Sequence, residues 1–282
     1  MSLRIKLFTA LLIVAIPITW FLIRNVSLVS DKDLITGTTP NIATTISPPA
    51  SVSDDNFGGE NIFVLSPKAG EELESPFTIK GKARVFENVV NIILRGDNKS
   101  ELYKDNVTAK SLDFSQYGDF EIKIPISPQA ATSKKLTLEV FDYSAKDASV
   151  RDLVSIPIVV ATKDTMDIKV YLINSKLGTD NMCTKTFSTK RQILKTKEVA
   201  YMALYQLIQG PNIGELGEGY DTRISGQVKI NSVVVQGDTA YADFSEGLAY
   251  GITESCKVDA IKAQITDTLK QFFIIKINFL IV

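Results

Sequence analysis

The chain has 282 residues, 31 Lys+Arg against 32 Asp+Glu for a net charge of −1, and no histidine. Its length suits two modules with a tail rather than one small domain, and 45% hydrophobic residues are enough to build cores. The balanced charge argues against a phosphate-tracking nucleic-acid surface. The missing imidazole removes the commonest general base, the commonest metal ligand and every Ser–His or Cys–His nucleophile pair, so no catalytic, cofactor-binding or metal-ligating residue is predicted.

Leu7 to Ile23 is an apolar run of 17 residues, flanked by Arg4 and Lys6 before it and Arg24 after it. As a helix it covers roughly 26 Å, the short end of a membrane span. It is longer than a signal-peptide core, and no small-x-small cleavage site follows it closely. Trp20 and Phe21 sit where interfacial aromatics belong. The segment 1–24 therefore reads as a signal anchor at the cytoplasmic membrane, with a single pass and the bulk of the chain extracytoplasmic. A cleaved signal peptide is the alternative, and either one exports the remainder. Residues 25–59 follow as a Ser/Thr/Pro-rich linker, with Thr36-Gly37-Thr38-Thr39-Pro40 and Ser47-Pro48-Pro49 and no aromatic before Phe57. Such a stretch buries too little apolar surface to offset the entropy of ordering.

From 60 to 161 the pattern is one of short β segments between turn signals. Ile62-Phe63-Val64-Leu65, Phe77 to Ala83, Val89 to Leu94, Leu102 to Thr108, Phe120 to Ile124, Leu136 to Phe141 and Val154 to Val160 make seven strands with period-2 alternation. This predicts an antiparallel sandwich, with Pro157 confining the last strand to an edge. The strings Ser66-Pro67-Lys68-Ala69-Gly70-Glu71-Glu72, Ser75-Pro76-Phe77 and Gly81-Lys82-Ala83-Arg84-Val85-Phe86-Glu87 are followed by Leu138 to Asp147 and then Val154-Ser155-Ile156-Pro157. Together these resemble the immunoglobulin-like domain of bacterial spore-germination-associated proteins, the Gmad2 family. The resemblance implies a non-enzymatic, extracytoplasmic module.

From 166 to 282 the pattern turns mixed. Ile168 to Ile173 and Thr184 to Ile193 read as strands. Thr196 reads as the N-cap of a helix carrying Val199, Ala200, Ala203, Leu204, Leu207 and Ile208, which Gly210-Pro211 ends. Gly214 to Tyr220 reads as a solvated, Gly-rich loop; Gly214 to Gly219 lacks the Lys–Ser/Thr ending of a phosphate loop. Val228 to Val235 and Thr239 to Phe244 form a hairpin about Gly237-Asp238. Ser255 opens a second helix, whose Val258, Ile261, Ile265, Leu269 and Phe272 make one apolar stripe, and a final strand follows. The sum is a small sheet with two helices on one face. Lys169-Val170-Tyr171-Leu172, Leu207-Ile208-Gln209-Gly210-Pro211, Tyr241-Ala242-Asp243-Phe244-Ser245 and above all Ser255 to Thr266 resemble the GerMN domain of sporulation and germination proteins. That family usually closes with a proline-containing turn, a strand and an Asp-Gly ending. Here Phe273 to Val282 runs apolar, leaving a blunt or altered last strand with an aggregation-prone edge.

The fold class expected is thus two-domain: an all-β immunoglobulin-like sandwich, then a small α+β domain with two helices and a mixed sheet, behind an N-terminal transmembrane helix. Cys183 and Cys256 are 73 residues apart. In an exported domain they form either a disulfide, which by loop closure stabilises by roughly 4 kcal/mol, or two buried thiols. Asp142 with Asp147 reads as turn chemistry, and Arg84, Phe86 and Glu87 as either a binding rim or a strand-end turn. Tyr201 and Tyr205, at i and i+4 on one helix face, and Tyr103 and Tyr117 in the β module are the candidate binding surface. The function expected is non-catalytic protein–protein assembly in the bacterial cell envelope, with sporulation or germination implied by resemblance. Other envelope proteins, or self-association through the GerMN-like part, supply the partner; the membrane is met through the leader. The alternative is a peptidoglycan- or carbohydrate-binding module, which needs Tyr103, Phe114, Tyr117 and Phe120 exposed on one sandwich face.

Overall fold

The structure is a computed structural model that describes residues 57–111, 113, 115–178, 183–249, 255–274 and 276–281. The expected anchor, nearly all of the linker and Phe114 lie outside the described residues. Among the described residues no helix is long and apolar enough to cross a membrane. The fold is mostly β-sheet with four α-helices.

The strands are β1 (Phe57–Gly58), β2 (Ile62–Ser66), β3 (Glu72–Leu73), β4 (Phe77–Ala83), β5 (Val89–Arg95), β6 (Glu101–Thr108), β7 (Gly118–Ile124), β8 (Leu136–Tyr143) and β9 (Val150–Val160), with the one-turn helix α1 (Pro128–Ala131) before β8. They form a four-stranded sheet, β1-β2-β4-β7, and a five-stranded one, β3-β9-β8-β5-β6. Alternation selects the faces: Phe77, Ile79, Gly81 and Ala83 of β4 are buried between half-buried or exposed neighbours. Ile92 and Leu94 of β5, Leu138 and Val140 of β8, and Val154 and Ile156 of β9 join them in one core. Each such aliphatic side chain stabilises by about 1.5–3 kcal/mol. At Gly81 a Cβ would lie 2.3 Å from the Phe120 ring and from the Phe63 carbonyl, so only glycine lets Phe120 close over the sheet.

The prediction that Pro157 holds its strand at an edge is corrected, since β9 lies between β3 and β8. The physics behind it survives locally. Val159 N–H donates to Glu71 O at 3.1 Å, so Pro157, two residues earlier, turns its hydrogen-free nitrogen toward the β3 side. There β3 pairs only with Val159 and Val160, and no ladder bond is forfeited.

The chain continues as β10 (Thr165–Asn174), β11 (Phe187–Leu194), α2 (Val199–Ile208), α3 (Ile213–Gly217), β12 (Tyr220–Asp221), β13 (Ile230–Gln236), β14 (Thr239–Phe244), α4 (Ser255–Lys270) and β15 (Lys276–Ile281). Two expectations change here. The single small sheet is instead two three-stranded sheets, β11-β10-β12 and β13-β14-β15. The loop read over Gly214 to Tyr220 contains α3, opened by a capping box in which Asn212 Oδ1 accepts Glu215 N–H and Glu215 Oε2 accepts Asn212 N–H. Most of that stretch is exposed, as expected, but Glu215 within it is buried. The hairpin turn is the expected Gly237-Asp238, with positive φ at Gly237, and β15 runs parallel to β14. The stripe on α4 packs as its spacing requires, with Ile261, Ile265 and Leu269 buried against Leu172, Leu204, Ala242 and Phe244.

One strand edge is closed without a strand. β10 pairs with β11 along one side, and with β12 only at Ile173 and Asn174 on the other. The remaining open groups go to polar side chains of α4 and of Gln271 just past its end. Gln271 Oε1 accepts Lys169 N–H at 2.8 Å, and its Nε2 donates to Lys169 O at 2.6 Å. Thr268 Oγ1 accepts Tyr171 N–H at 3.0 Å. Gln264 Nε2 donates to Tyr171 O and to Thr222 Oγ1, while its Oε1 accepts Arg223 N–H. Gln264 and Thr268 have no exposed surface.

Candidate functional site

Three of the four tyrosines singled out by sequence line one cleft of about 1220 Å³, which runs along β6 and is walled by α2 and by the segment leading into β13. β6 supplies Tyr103 and Asp105 from its inward face, and Tyr103 packs on the first core. α2 supplies Tyr201 and Tyr205, one helical turn apart. Tyr201 is buried, and Tyr103 and Tyr205 are half-buried.

Asp105 is the hub of the cleft. Its Oδ2 accepts the Tyr103 hydroxyl at 3.0 Å; its Oδ1 accepts Asn106 N–H at 2.7 Å and the Lys229 ammonium at 2.9 Å. Lys229 Nζ also donates to Asn106 O at 2.6 Å. At the other end Tyr201 donates to Lys123 O at 3.2 Å, and the Lys123 ammonium lies 5.1 Å from that ring's centre and bonds Glu198 at 2.6 Å. Tyr205 has no hydrogen-bond partner among the described residues.

Burial, and then the Asp105 charge, hold the Tyr103 phenol far above its ordinary range. Burial, followed by Tyr205, Glu198 and Asp105, also raises Tyr201. Tyr205 is pushed up to about 12 by burial and then by Asp105. All three are therefore neutral phenols near neutral pH, acting as hydrogen-bond donors with apolar ring faces. This equips the cleft to grip a polypeptide or another polar molecule. Among the described residues no group of three or more Asp, Glu, Cys or His could hold a metal ion.

The remaining candidates fall elsewhere. Tyr117 does not line the cleft: its ring sits 5.4 Å from Phe63 under the Arg84 guanidinium, and its hydroxyl donates to Glu60 O. Phe120 is 2% exposed and belongs to the sandwich core. The aromatic face required by the carbohydrate alternative is thus not assembled from the described residues. Arg84 is taken up by Asn61 Oδ1 and Tyr117, and Glu87 sits at positive φ in a tight turn, which is the strand-end geometry. Asp147 caps a turn through Ser149, whereas Asp142 is buried on β8. Cys183 and Cys256 are disulfide-bonded with Cα atoms 5.3 Å apart, tying the segment before β11 to the first turn of α4.

Sequence reasoning missed Asp105 and Lys229, which lie 124 residues apart with nothing in either neighbourhood to connect them. It also missed the buried pair of Arg191 with Glu215. Arg191 Nη2 reaches Glu215 Oε2 at 2.6 Å and Gly210 O at 3.1 Å, while Nη1 and Thr189 Oγ1 bond the other carboxylate oxygen. The capping-box spacing of Asn212 and Glu215 was the available signal for that carboxylate.

Residues 61–149 match the family model Gmad2, the immunoglobulin-like domain of bacterial spore germination, and residues 169–281 match the family model Germane, sporulation and spore germination. Among solved structures the chain is similar to the tandem GerMN domains of the sporulation protein GerM from Bacillus subtilis, at 24% identity and a TM-score of 0.33 over 42% of this chain and 39% of that one. It is similar to the first GerMN domain of the same protein at 24% identity and TM-score 0.31, over 41% and 82%. A putative lipoprotein from Clostridium perfringens is similar at 18% identity and TM-score 0.27, over 42% and 75%. The chain thus spans about two fifths of the length of the first of these structures. No curated protein matches the chain.

Proposed function

From a chain that carries a Gmad2 domain followed by a Germane domain, we propose a non-catalytic envelope protein, anchored in the cytoplasmic membrane by 1–24. Its two modules stand outside the cell and assemble with other envelope proteins during sporulation or germination. The observation that carries this reading is the occurrence of both spore-germination matches in one chain behind an apolar leader. Neither family model describes an enzyme. The cleft of neutral phenols supports a binding role, since its groups donate hydrogen bonds and present ring faces without a poised nucleophile. Fold alone does not assign such a role, so the test is direct. Cells expressing the full chain are treated with a membrane-impermeant crosslinker, and what co-purifies is identified by mass spectrometry. The expected result is a reproducible set of envelope proteins, crosslinked through lysines of 60–282. Protection of the chain from the crosslinker in intact cells, or recovery of the chain alone, overturns the proposal.

A further inference from the structure

β6 is the last strand of its sheet, and its outer edge runs along the cleft. Main-chain groups alternate in direction along a strand, and two hydrogen bonds fix the phase just past β6. Ala109 N–H donates to Asn88 O at 2.7 Å on the β5 side, while Lys110 N–H donates to Asp119 O at 2.8 Å on the far side. Lys104 and Asn106 therefore turn their N–H and C=O groups outward. At Lys110 the outer side is held by a bridge to β7; at Lys104 and Asn106 no strand among the described residues covers it. Asn106 is instead plugged by side chains: Asp105 accepts its N–H, and Lys229 donates to its C=O while pairing with Asp105. A lysine from the Germane domain thus occupies the place of a neighbouring strand.

We infer that the outer edge of β6 takes up an extended segment of a partner polypeptide, and that Lys229 is the plug the segment displaces. This rests on the reading that the chain works by gripping other envelope proteins. The surroundings state the chemistry of the segment. On the outward face Lys104 is exposed, with no ion-pair partner among the described residues, so a carboxylate on the outward-facing row of the incoming strand meets it, and the free edge ends where β7 holds Lys110. On the inward face Tyr103 and Val107 are half-buried and Tyr205 offers an unused hydroxyl, so apolar residues suit the positions between. The occupant is an extended segment alternating apolar and acidic residues, added by main-chain hydrogen bonds. A second copy does not fit. Two-fold pairing centred on Lys104 or on Asp105 sets like charges opposite each other, and pairing centred on Asn106 runs into β7, which already holds Lys110.

The test uses the full chain purified in mild detergent and three fluorescent eight-residue probes: alternating valine and glutamate, the same with lysine for glutamate, and the first with alternate amides N-methylated. The valine–glutamate probe binds saturably, and the other two bind about tenfold or more weaker, because they lose the charge match or the main-chain bonds. Lys229→Met tightens the first probe about three- to fivefold by removing a half-exposed competing ion pair. Equal binding of the N-methylated probe, or an affinity that ignores Lys229→Met, overturns the inference and leaves Lys229 as edge protection only. Failure of every probe while crosslinking in cells still recovers envelope partners sinks this inference alone; the absence of crosslinked partners sinks the reading beneath it.

Discussion

Two strands, β10 inside its sheet and β6 at the end of another, each have a side that no full-length strand covers among the described residues, and the two sides are finished differently. Beyond β12, the open side of β10 is sealed by Gln264 and Thr268 of a helix already fixed by its apolar stripe and by Gln271 just past its end, and the first two of these are wholly buried. The open side of β6 is held at Asn106 by one lysine that is 46% exposed and reaches across from another part of the chain. In the first case the polar groups cannot leave without unpacking a core. In the second they can leave by rotating a side chain. Buried amide seals of this kind make a permanent edge, and exposed ammonium plugs make a conditional one.

The largest effect is expected where the sheet containing β10 carries its buried ion pair. Glu215→Ala leaves the Arg191 guanidinium buried against Gly210 O without its carboxylate, and unfolding stability should fall by about 3–5 kcal/mol, read by chemical denaturation. Burial pushes the Glu215 carboxyl up, but hydrogen bonds from Arg191, Thr189 and Asn212 outweigh it, and the pKa lies below its ordinary 4.5. Its contribution is therefore present above pH 4.5 and lost as pH falls through the lower folded value. The difference between wild type and Glu215→Ala should shrink on acidification; a difference that stays constant to low pH would show that the carboxylate is not what holds α3.

Next comes the seal itself. Gln264→Leu keeps the volume and removes three hydrogen bonds, stranding Arg223 N–H and Tyr171 O in a dry site, at about 2–3 kcal/mol. Amide exchange should accelerate at Arg223 more than in β11. Uniform acceleration along β10 and β11 would mean that the amide is a packing residue and the edge is closed by the apolar stripe alone.

Much of this contrast was legible, and its limits are physical. Alternation at period 2 located the β strands because one face of each meets a core, and the 3.6-residue stripe located α4. The polar partners of that stripe, Gln264, Thr268 and Gln271, stand at i, i+4 and i+7 and carried a readable helical period of their own. α3 escaped because Gly214 and Gly217 depress helix propensity in a five-residue element, although its capping box was visible. The i, i+4 spacing put Tyr201 and Tyr205 together, but only tertiary packing brings Tyr103 to them, and no local pattern foretells that Lys229 reaches Asp105. The position of β9 was misread because Pro157 was judged for the whole strand, when β3 spans only two residues of it.

A smaller effect, of opposite sign, separates buried polarity that is satisfied from buried polarity that is not. Asp142 is 2% exposed and its Oδ1 has no hydrogen-bond partner among the described residues. Burial raises its pKa above 3.8, with Arg151 on the paired strand pulling it only partly back and Asp152 adding to the rise. The folded state thus holds the proton more tightly than the unfolded one. The resulting stabilisation is complete below pH 3.8 and is lost as pH rises through the folded value. Asp142→Asn should be about 1 kcal/mol more stable than wild type near neutral pH, with the gain vanishing in acid. A loss of stability at neutral pH would mean that the carboxylate is ionised and held by Arg151.

The smallest change in stability is expected from Lys229→Met, although it removes an ion pair and a hydrogen bond to main chain. Both lie in a cleft open to water, where solvent replaces what is lost, so the midpoint of unfolding should move by less than about 1 kcal/mol. The effect should instead be local. Without the ammonium Asp105 carries uncompensated charge and turns toward solvent, releasing the Asn106 amide it accepts in the wild type, so exchange at Asn106 rises while exchange at Ile92 and Leu94 on β5 does not. If Lys229→Met destabilises as much as Gln264→Leu, the two edges are alike after all, and the plug on β6 is as much a part of the folded core as the seal on β10.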